Sequence, residues 1–537
     1  NFPELNMLFL IWAVVLFATL YLYLRSVYTK FSASGVKNPP TIPLLGNVLP
    51  LLLRRRHFAD DIDVYYNQYP EERFFGRYEF LNPLVVVRDL ELIKKIAIKD
   101  FEYFIDHRGF SDEKVEPLFA RNLFSLKGDE WKDMRSTLSP AFTSSKIRLM
   151  VPFMEEVGNQ MIASLKKKIE ETGGPIQVEC KDLTSRYAND VIASCAFGLK
   201  VDSHLDANNT FYEQGKTASS FKMRQLLMFF AYSAFPSIVK RLKLTLFSKD
   251  TTNFFISLVL DTMKNREENN IIRPDMIHLL MEAKKGQLNH DEKTKDKVGD
   301  TGFATVEESA VGKKTSQREW SDTDLIAQAV LFFIAGFETI SVGMSFALHE
   351  LALHPEVQER LAQEIKDTHE RSKGKLDFNL IQNMQYMDMV VSEVLRLWPP
   401  GISLDRLCCK DYNMGKPNKY ENRDFILRKG DLVAIPVFSI HRDAKYFPDP
   451  EKFDPERFSD ENKHLIKSMT YMPFGVGPRN CIGSRFALLE LKMLIYQIIL
   501  HMEVSPCEKT CIPSKLSVES VNLRLVGDHW LNFKIRQ

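Results

Sequence analysis

The residues most suggestive of chemistry lie in the stretch PFGVGPRNCIGSRFALLELK, which covers Pro473–Lys492. A glycine-rich turn from Phe474 to Asn480 places Cys481 at the start of an amphipathic helix. Glycine permits positive φ angles and a close approach of the backbone to a large ligand. Backbone N–H groups and the helix dipole favour a thiolate over a thiol. The pattern therefore indicates a thiolate presented to a large ligand.

Other readings of this stretch fail in detail. A phosphate-binding loop would end in Gly-Lys-Ser/Thr, where the chain has Asn480-Cys481. A dinucleotide fingerprint would need a third glycine in place of Asn480. A purely structural cysteine would not explain two spaced glycines together with Arg479.

The stretch matches the heme-thiolate signature F-G-x-G-x-R-x-C-x-G at every fixed position. The chain thus resembles the cytochrome P450 superfamily, and it is similar to microsomal members over essentially its whole length. The resemblance implies a heme b cofactor, iron protoporphyrin IX, with Cys481 as the axial iron ligand. It also places Phe474, Arg479 and Gly483 among the heme-binding residues.

Three arginines match positions that pair with heme carboxylates in the family. The sequence WKDMR contains Trp131 and Arg135, which alone would be an ordinary helix pair but which face a heme propionate in the family. Arg406 in SLDRLC matches a further such position. Arg135, Arg406 and Arg479 would give three cations for two carboxylates.

The sequence AGFETIS supplies the predicted catalytic residues. By resemblance, Ala335 lets the heme and oxygen approach, and Glu338 beside Thr339 relays protons. Without the resemblance, Glu338 would be interpreted as a buried structural ion. The family usually has Thr or Ser after the threonine, whereas this chain has Ile340, which leaves open whether Ser341 substitutes.

A fourth motif, EVLR, contains an acid and a base at i and i+3, Glu393 and Arg396. Such a pair usually lies on a solvated helix face, but its neighbours here are apolar, which favours burial and pairing. The family locks this pair with the arginine of a later segment, which would be Arg457 in FDPERF. The resemblance implies a structural role for the three residues.

The elements that must position these motifs are mostly helices. Trp320–Leu353 is predicted to form one helix of ~50 Å, capped by Ser321 or Asp322 and stopped by Pro355. It is apolar enough to be a second membrane span, but the acid at its centre, Glu338, favours a buried core helix.

The rest of the body follows the same trend. Helical periodicity dominates 145–200 and the chain from 279 onward, and strand-like stretches lie at 84–87 and 425–436. Residues 284–319 contain fifteen charged residues, which predicts a mobile loop without a core. The resemblance implies a mainly α fold with a small β lobe, and a heme between the long helix and the cysteine helix.

The N-terminus predicts a transmembrane anchor. Met7–Leu24 is an apolar run of 18 residues that spans ~27 Å, close to the thickness of a bilayer core. The alternative is a signal peptide cleaved near Ser32–Gly35. Basic residues follow the run, so the positive-inside bias places the remainder in the cytosol. Those residues are Arg25, Lys30 and Lys37.

These observations divide the chain into an anchor at 1–24, a basic and proline-rich hinge at 25–46 and a catalytic domain at 47–537. Ser233–Phe247 mixes bulky apolar residues with Lys240, Arg241 and Lys243, which predicts a second membrane contact. Such a contact would let lipophilic substrate enter from the bilayer.

Composition and charge exclude several other classes of protein. Of 537 residues, 45% are hydrophobic and 26% charged, an ordinary globular balance. Lys and Arg number 71 against 70 Asp and Glu, so no net positive charge attracts nucleic acid. Seven scattered cysteines are too few for a disulfide scaffold and fit a reducing compartment.

The resemblance implies a monooxygenase that uses O2 and NADPH. The chain carries no convincing flavin or nicotinamide motif, so electrons would come from NADPH–cytochrome P450 reductase, with cytochrome b5 as a further partner. The stretches WKDMRSTLSPAFTSSK and SRYANDVIASCAFGLKVDS look like the insect branch that handles lipophilic plant toxins and insecticides. The implied location is the endoplasmic reticulum membrane, with the catalytic domain on its cytosolic face.

Two other functions stay open at this point. An enzyme of the same fold could rearrange peroxides without a reductase, although such enzymes typically lack the acid–threonine pair present here as Glu338-Thr339. A membrane-anchored heme protein could bind or sense without turnover. Only an oxygen-consumption assay with reductase and NADPH separates this last reading from a monooxygenase.

Overall fold

Helices make up most of the described part of the chain, and the strands found there form three small sheets. The computed structural model describes residues 2–109, 112–206, 208–219, 223–286, 302–309, 311 and 318–537. The α-helices in these ranges are α1 Phe2–Tyr28, α2 Leu49–Leu52, α3 Phe58–Gln68, α4 Leu90–Lys94, α5 Pro117–Ala120, α6 Gly128–Leu138, α7 Ser144–Arg148, α8 Val151–Thr172, α9 Cys180–Ile192, α10 Thr210–Ser219, α11 Met223–Ala234, α12 Pro236–Arg241, α13 Lys249–Asn269, α14 Met276–Lys284, α15 Asp322–Leu353, α16 Pro355–Arg371, α17 Phe378–Gln382, α18 Gln385–Leu397, α19 Val437–His441 and α20 Ser484–His501. The strands are β1 Phe74–Glu79, β2 Asn82–Val87, β3 Ile176–Glu179, β4 Leu404–Leu407, β5 Tyr412–Gly415, β6 Phe425–Leu427, β7 Leu432–Ile435, β8 Met502–Pro506 and β9 Trp530–Ile535. The predicted mainly α fold with a small β component is confirmed.

The long helix α15 runs through the centre of the protein. Its N-terminus is a capping box in which Ser321 Oγ accepts a hydrogen bond from the backbone N–H of Asp324, as helix-start chemistry predicts. By length and composition α15 could cross a membrane, yet most of it is buried against other helices, mainly α9, α20 and α5. Its apolar surface is therefore used inside the protein.

The largest sheet has four strands in the order β1-β2-β7-β4. Within it β2 and β7 are parallel, with Leu84 opposite Leu432. The predicted strand stretch 425–436 contributes to two different sheets, because β6 pairs with β5 whereas β7 joins the larger sheet. A third sheet, β3-β9-β8, includes a strand inside the stretch that periodicity assigned to helix.

The N-terminal helix α1 is joined firmly to the body. Its apolar residues from Phe9 to Tyr23 are mostly exposed, whereas Tyr28 packs edge-on against Tyr78 at 5.0 Å between ring centroids. Phe31 is fully buried, and Lys30 Nζ lies 2.6 Å from Asp431 Oδ1. The segment predicted as a hinge is thus attached to the body by packing and by an ion pair.

Residues 302–309 lie against the body in the middle of the stretch predicted to be a mobile loop. Most of that prediction concerns residues 287–301, 310 and 312–317, which lie outside the described residues. The expectation that no core forms in 284–319 is wrong for Ala304, which is buried within the main core cluster. Its small side chain and the neighbouring Phe303 supply enough apolar surface for local packing.

Candidate active site

The turn before Cys481 depends on two glycines in left-handed conformation. Gly475 and Gly477 both have φ of 73°, a region that favours glycine. A Cβ at Gly477 would also lie 1.9 Å from the carbonyl oxygen of Ala97. The turn closes with a 2.8 Å hydrogen bond from Cys481 N to Phe474 O. The spacing of the two glycines in the sequence therefore reflects backbone geometry and close packing.

The thiol of Cys481 faces an open space inside the protein. Its side chain is exposed, yet desolvation by the surrounding protein raises the pKa of the thiol. Both observations hold if the sulfur borders an enclosed space that the protein atoms do not fill. A backbone hydrogen bond at Gly483 and the charge of Arg135 oppose the rise in pKa and favour the thiolate.

A short stretch of α15 is also exposed, although most of this helix is buried. Ala335 and Thr339 are exposed, although Phe337 and Ile340 on the same helix are buried. Ile482, next to Cys481, packs against the core cluster that contains this part of α15. The Thr339 hydroxyl donates a 2.5 Å hydrogen bond to Ala335 O. A residue pair one turn apart is thus accessible on an otherwise mostly buried helix.

Arg406 and Arg479 are two buried cations close enough to feel each other's charge. Arg406 is 1% exposed, donates through Nη1 to the Asp405 carbonyl at 2.7 Å, and has no partner for its Nε among the described residues. Burial lowers the pKa of Arg406 to about 10. Burial and the charge of Arg406 lower the pKa of Arg479 to about 9. The pair would be stabilised by an added anion.

Arg479 serves the packing of the turn as well. It donates hydrogen bonds of 2.8–3.4 Å to the backbone carbonyls of Ile105, Leu123, Phe124 and Leu126. Its guanidinium carbon lies 4.0 Å from the ring centroid of buried Trp131. Trp131 therefore supports Arg479 through stacking.

Arg135 is committed to protein partners. Its Nη1 donates to Asn480 O at 2.7 Å, and its Nη2 donates to Asn480 Oδ1 at 2.8 Å. Its Nε and Nη2 also donate to Glu308 Oε1 at 3.1 and 2.9 Å. Of the three arginines predicted to meet carboxylates, Arg406 has the clearest unused donor.

Glu338 is held by a network that points away from the exposed face of α15. Lys181 Nζ on α9 lies 3.1 Å from Glu338 Oε2, and Asn522 Nδ2 donates to Oε1 at 3.1 Å. Lys181 also donates to Ser341 Oγ at 2.8 Å. Ser341 is fully buried in this network, so its hydroxyl does not replace a hydroxyl at position 340 beside Thr339.

The pair Glu393 and Arg396 is fully buried and is connected to the cysteine turn through hydrogen bonds. Arg396 Nε donates to Glu393 Oε2 at 2.7 Å, and Arg457 Nε lies 3.4 Å from Glu393 Oε1. Arg396 Nη1 donates to His441 O, and Met472 N, just before the turn, donates to His441 Nε2 at 2.8 Å. This network connects α18 to the approach of the cysteine turn.

Lys181, Asn522, His441 and Glu308 were missed by the sequence analysis. Each acts through a partner far away in the chain, which single-sequence patterns do not report. Lys181 left no such signal either, because Asp182 and Arg186 on the same helix make it resemble a residue of a solvated charged face. Glu308 lay in a charged stretch that resembled a solvated loop.

Comparison with known proteins agrees with this geometry. A sequence model of the family described as Cytochrome P450 matches residues 36–314 and 304–526. Cytochrome P450 9e2 of Blattella germanica is 45% identical over 534 residues, which cover 97% of both chains. Probable cytochrome P450 9f2 of Drosophila melanogaster is 42% identical over 93% of this chain and 94% of its own. Cytochrome P450 6k1 of Blattella germanica is 37% identical over 95% of this chain and 94% of its own.

Proposed function

Because the chain belongs to the cytochrome P450 family of heme-dependent monooxygenases, we propose that it oxidises lipophilic compounds of the plant-toxin and insecticide class. The overall reaction is RH + O2 + NADPH + H+ to ROH + NADP+ + H2O. Its likeness to insect relatives supports the substrate class.

The exposure of Cys481 and of Ala335 and Thr339 on α15 is the observation that carries the proposal, and we infer that they face one open space. One wall presents a cysteine sulfur, and the other presents the small side chain of Ala335 and the hydroxyl of Thr339. Both walls belong to elements that are otherwise buried. A flat ligand between a thiolate and a helix with a small residue fits this arrangement.

The residues present fit heme b. Its two carboxylates match the buried positive charge of Arg406 and Arg479, and the orphaned Nε of Arg406 is a donor awaiting an acceptor. Cys481 supplies the single protein ligand, while Phe474 and Gly483 shape the turn around it. When bound, the heme supplies the iron that activates O2, and thiolate ligation favours O–O cleavage.

The protein itself handles protons and excludes water on the α15 side. The Thr339 hydroxyl lies at the open space and can hand a proton to a bound species there. Glu338, one residue before it, is positioned by Lys181 and Asn522. We assign Thr339 the direct role and Glu338 the supply of protons from the network behind the helix.

We propose NADPH–cytochrome P450 reductase as the electron donor, with cytochrome b5 as an additional one. Members of this family depend on a redox partner, and the sequence carries no convincing flavin or nicotinamide motif. The rival peroxide rearrangement would proceed without any donor, so dependence of turnover on reductase separates the two.

We place the protein on the cytosolic face of the endoplasmic reticulum membrane. Helix α1 contains an apolar stretch, Phe9–Tyr28, whose mean hydropathy is 1.8 and which contains no buried residue. Basic residues follow this stretch, which supports a cytosolic body. We keep 1–24 as the anchor and 47–537 as the catalytic domain.

A second membrane contact on α11 and α12 would bring lipophilic substrate to the site. Pro236 begins α12, and these helices expose large apolar side chains beside Lys240 and Arg241. Phe230 of α11 packs against Phe80 at 5.4 Å, on the side where α1 joins the body. The exposed apolar side chains are Leu227, Phe235, Ile238 and Leu242.

Liposome binding tests this contact after deletion of 1–24. Residual binding should fall when Phe235, Ile238 and Leu242 are changed to Ser. Absence of any binding by the truncated protein would show that this surface does not meet the membrane.

The reaction is tested with Cys481→Ser and with full turnover assays. The parent should give the thiolate-type band in the reduced, CO-bound spectrum, and Cys481→Ser should lose it. The parent should also consume O2 and NADPH only when reductase is present and should form hydroxylated product. A surviving thiolate-type band in the variant would refute Cys481 as ligand, and turnover without reductase would refute the monooxygenase cycle.

A further inference from the structure

The chain between α14 and α15 makes an excursion that it does not need in order to join the two helices. Lys284 Nζ at the end of α14 lies 2.5 Å from Asp322 Oδ1 at the start of α15. The intervening chain therefore leaves and returns to nearly the same place. Joining the two helices therefore does not explain why this chain packs against the body.

Part of this excursion lies along α6, the helix that carries Arg135. Arg318 pairs with Glu130 at 3.0 Å and with Asp133 at 3.2 Å. Trp320 Nε1 donates to Thr137 Oγ1 at 3.1 Å. These contacts hold the returning end of the excursion on the outer side of α6.

Residues 302–309, which we term the strap, are inserted into the body near the cysteine turn. Phe303 packs against Phe458 and Tyr471, with ring centroids 5.1 and 5.4 Å away, and its N–H donates to Asp388 Oδ2 at 2.8 Å. Ala304 is buried. Apolar packing and a backbone hydrogen bond thus fix one end of the strap.

The other end of the strap reaches the residue before Cys481. Asn480 Nδ2 donates to Glu307 O at 2.9 Å. The carboxylate of Glu308 accepts from Arg135 Nε at 3.1 Å and from Arg135 Nη2 at 2.9 and 3.0 Å. Arg135 at the same time donates to both oxygens of Asn480. The strap, Arg135 and Asn480 therefore form one hydrogen-bonded unit next to Cys481.

All three nitrogens of the Arg135 guanidinium are engaged in this unit. Arg135 is buried, and Glu308 lies beside it with most of its side chain covered. A fork of charge-assisted hydrogen bonds fixes orientation more strictly than a single contact does. Among the described residues, loss of the Glu308 carboxylate would leave Asn480 as the remaining partner of the buried Arg135 guanidinium.

We propose that Glu308 is a positioning residue for the Cys481 thiolate and sets the electrostatic balance at the iron that it binds. Glu308 orients Arg135, Arg135 holds Asn480, and Asn480 continues directly into Cys481. The inference rests on the proposed function, because it takes Cys481 as the iron ligand. Its role is indirect, since Glu308 acts through its contacts with Arg135.

The expected direction follows from charge. Partners behind a metal ligand tune the metal through orientation and local electrostatics. Replacing Glu308 by Gln removes one negative charge beside Arg135, and this loss of negative charge favours the reduced, less positive iron. One-electron reduction of ferric to ferrous iron should then become easier.

The first test is a spectroelectrochemical titration of the full-length, heme-loaded protein. At a fixed potential near the parent midpoint, Glu308→Gln should raise the ferrous-to-ferric ratio by about threefold or more, ~28 mV by the one-electron conversion. The matched control is Glu307→Gln, which removes the same charge from an exposed neighbouring side chain. Equal shifts in the two variants, or no shift in Glu308→Gln, would overturn the proposal.

The second test measures how firmly the thiolate is held. Under mild heating, Glu308→Gln should lose the thiolate-type CO band several-fold faster than the parent, and Glu308→Asp, which keeps the charge, should restore part of the lifetime. Equal decay in the parent, Glu308→Gln and Glu308→Asp would contradict positioning by Glu308. Cys481→Ser reports separately on the ligand, so a surviving band there would overturn the proposed function rather than the role of Glu308.

Discussion

The cysteine turn is held largely by its own backbone, whereas the facing part of α15 is held by side chains from other elements. At the turn, Gly475 and Gly477 adopt positive φ and the backbone carbonyls around it bind Arg479. At α15, the helix is regular, and Lys181 and Asn522 fix Glu338. The turn therefore tolerates little change, while the helix side can be altered one side chain at a time.

The largest expected effect is at the turn, in Gly477→Ala. The new Cβ would lie 1.9 Å from Ala97 O and would impose strain at φ of 73°. Left-handed strain and overpacking together should lower the free energy of unfolding by about 3–5 kcal/mol and prevent normal heme loading. Denaturant titration and the absorbance of bound heme measure both.

Gly173→Ala is the matched control, because Gly173 has φ of 71° and open space around its Cβ position. It should cost only about 1 kcal/mol. Equal losses in the two variants would mean that strain alone, and not the contact with Ala97, makes the turn rigid.

On the helix side, Lys181→Met should cost less than the glycine change. Lys181 and Glu338 are mostly buried, so removing the cation leaves a poorly solvated carboxylate and should lower stability by about 3 kcal/mol. Adding Glu338→Gln to this variant should recover part of the loss. Lys167→Met, at an exposed pair with Glu171, should change stability by less than about 0.5 kcal/mol. Additive effects of the two buried changes would contradict the pairing.

Acid should lower the free energy of unfolding through His441, which accepts a hydrogen bond from Met472 N just before the cysteine turn. Burial, followed by the charge of Arg396, lowers the pKa of His441 to about 3. Below its ordinary pKa the unfolded chain takes up a proton that the folded protein refuses, so stability is lost as pH falls through the range from 6.5 toward 3. Between pH 7 and 5 this amounts to about 2 kcal/mol.

Unfolding measured across pH in His441→Gln should show a correspondingly shallower loss than the parent. His464→Gln, at an exposed histidine, serves as the control for removing an imidazole. If all three proteins lose stability in parallel, His441 is not the group responsible.

The smallest expected change in folding is Thr339→Ala, since this side chain is exposed to the open space. Heme content and stability should be unchanged, but product formed per NADPH should fall about tenfold as peroxide or water is released instead. Ser341→Ala should not reproduce this uncoupling, because Ser341 faces Lys181. An unchanged product yield in Thr339→Ala would remove the hydroxyl from the proton path.

The sequence predicted features that depend on local patterns. The Cys481 turn is identified by residues within ten positions of one another, and α15 by its caps and its continuous apolar composition. Both are decided by short-range rules for φ angles, capping and hydrophobic burial.

Features that depend on distant partners could not be predicted in this way. The stretch 425–436 divides between two sheets because its halves pair with β5 and with β2 and β4, which no local rule specifies. Glu308 and Arg135 are 173 positions apart, and their contact turns a charged loop segment into part of the site. These pairings could not be predicted from the order of residues in one sequence, because tertiary packing determines them.

The firm attachment of α1 to the body affects how the protein would meet a partner in the same membrane. Tyr28, Phe31 and Lys30 fix the end of α1 against Tyr78 and Asp431, so the body does not swing freely about its anchor. With α1 in a bilayer, the protein would keep one height and one tilt, and only lateral diffusion and rotation about the membrane normal would remain. A partner anchored in the same membrane then meets it by a search in two dimensions, with its reactive surface already level.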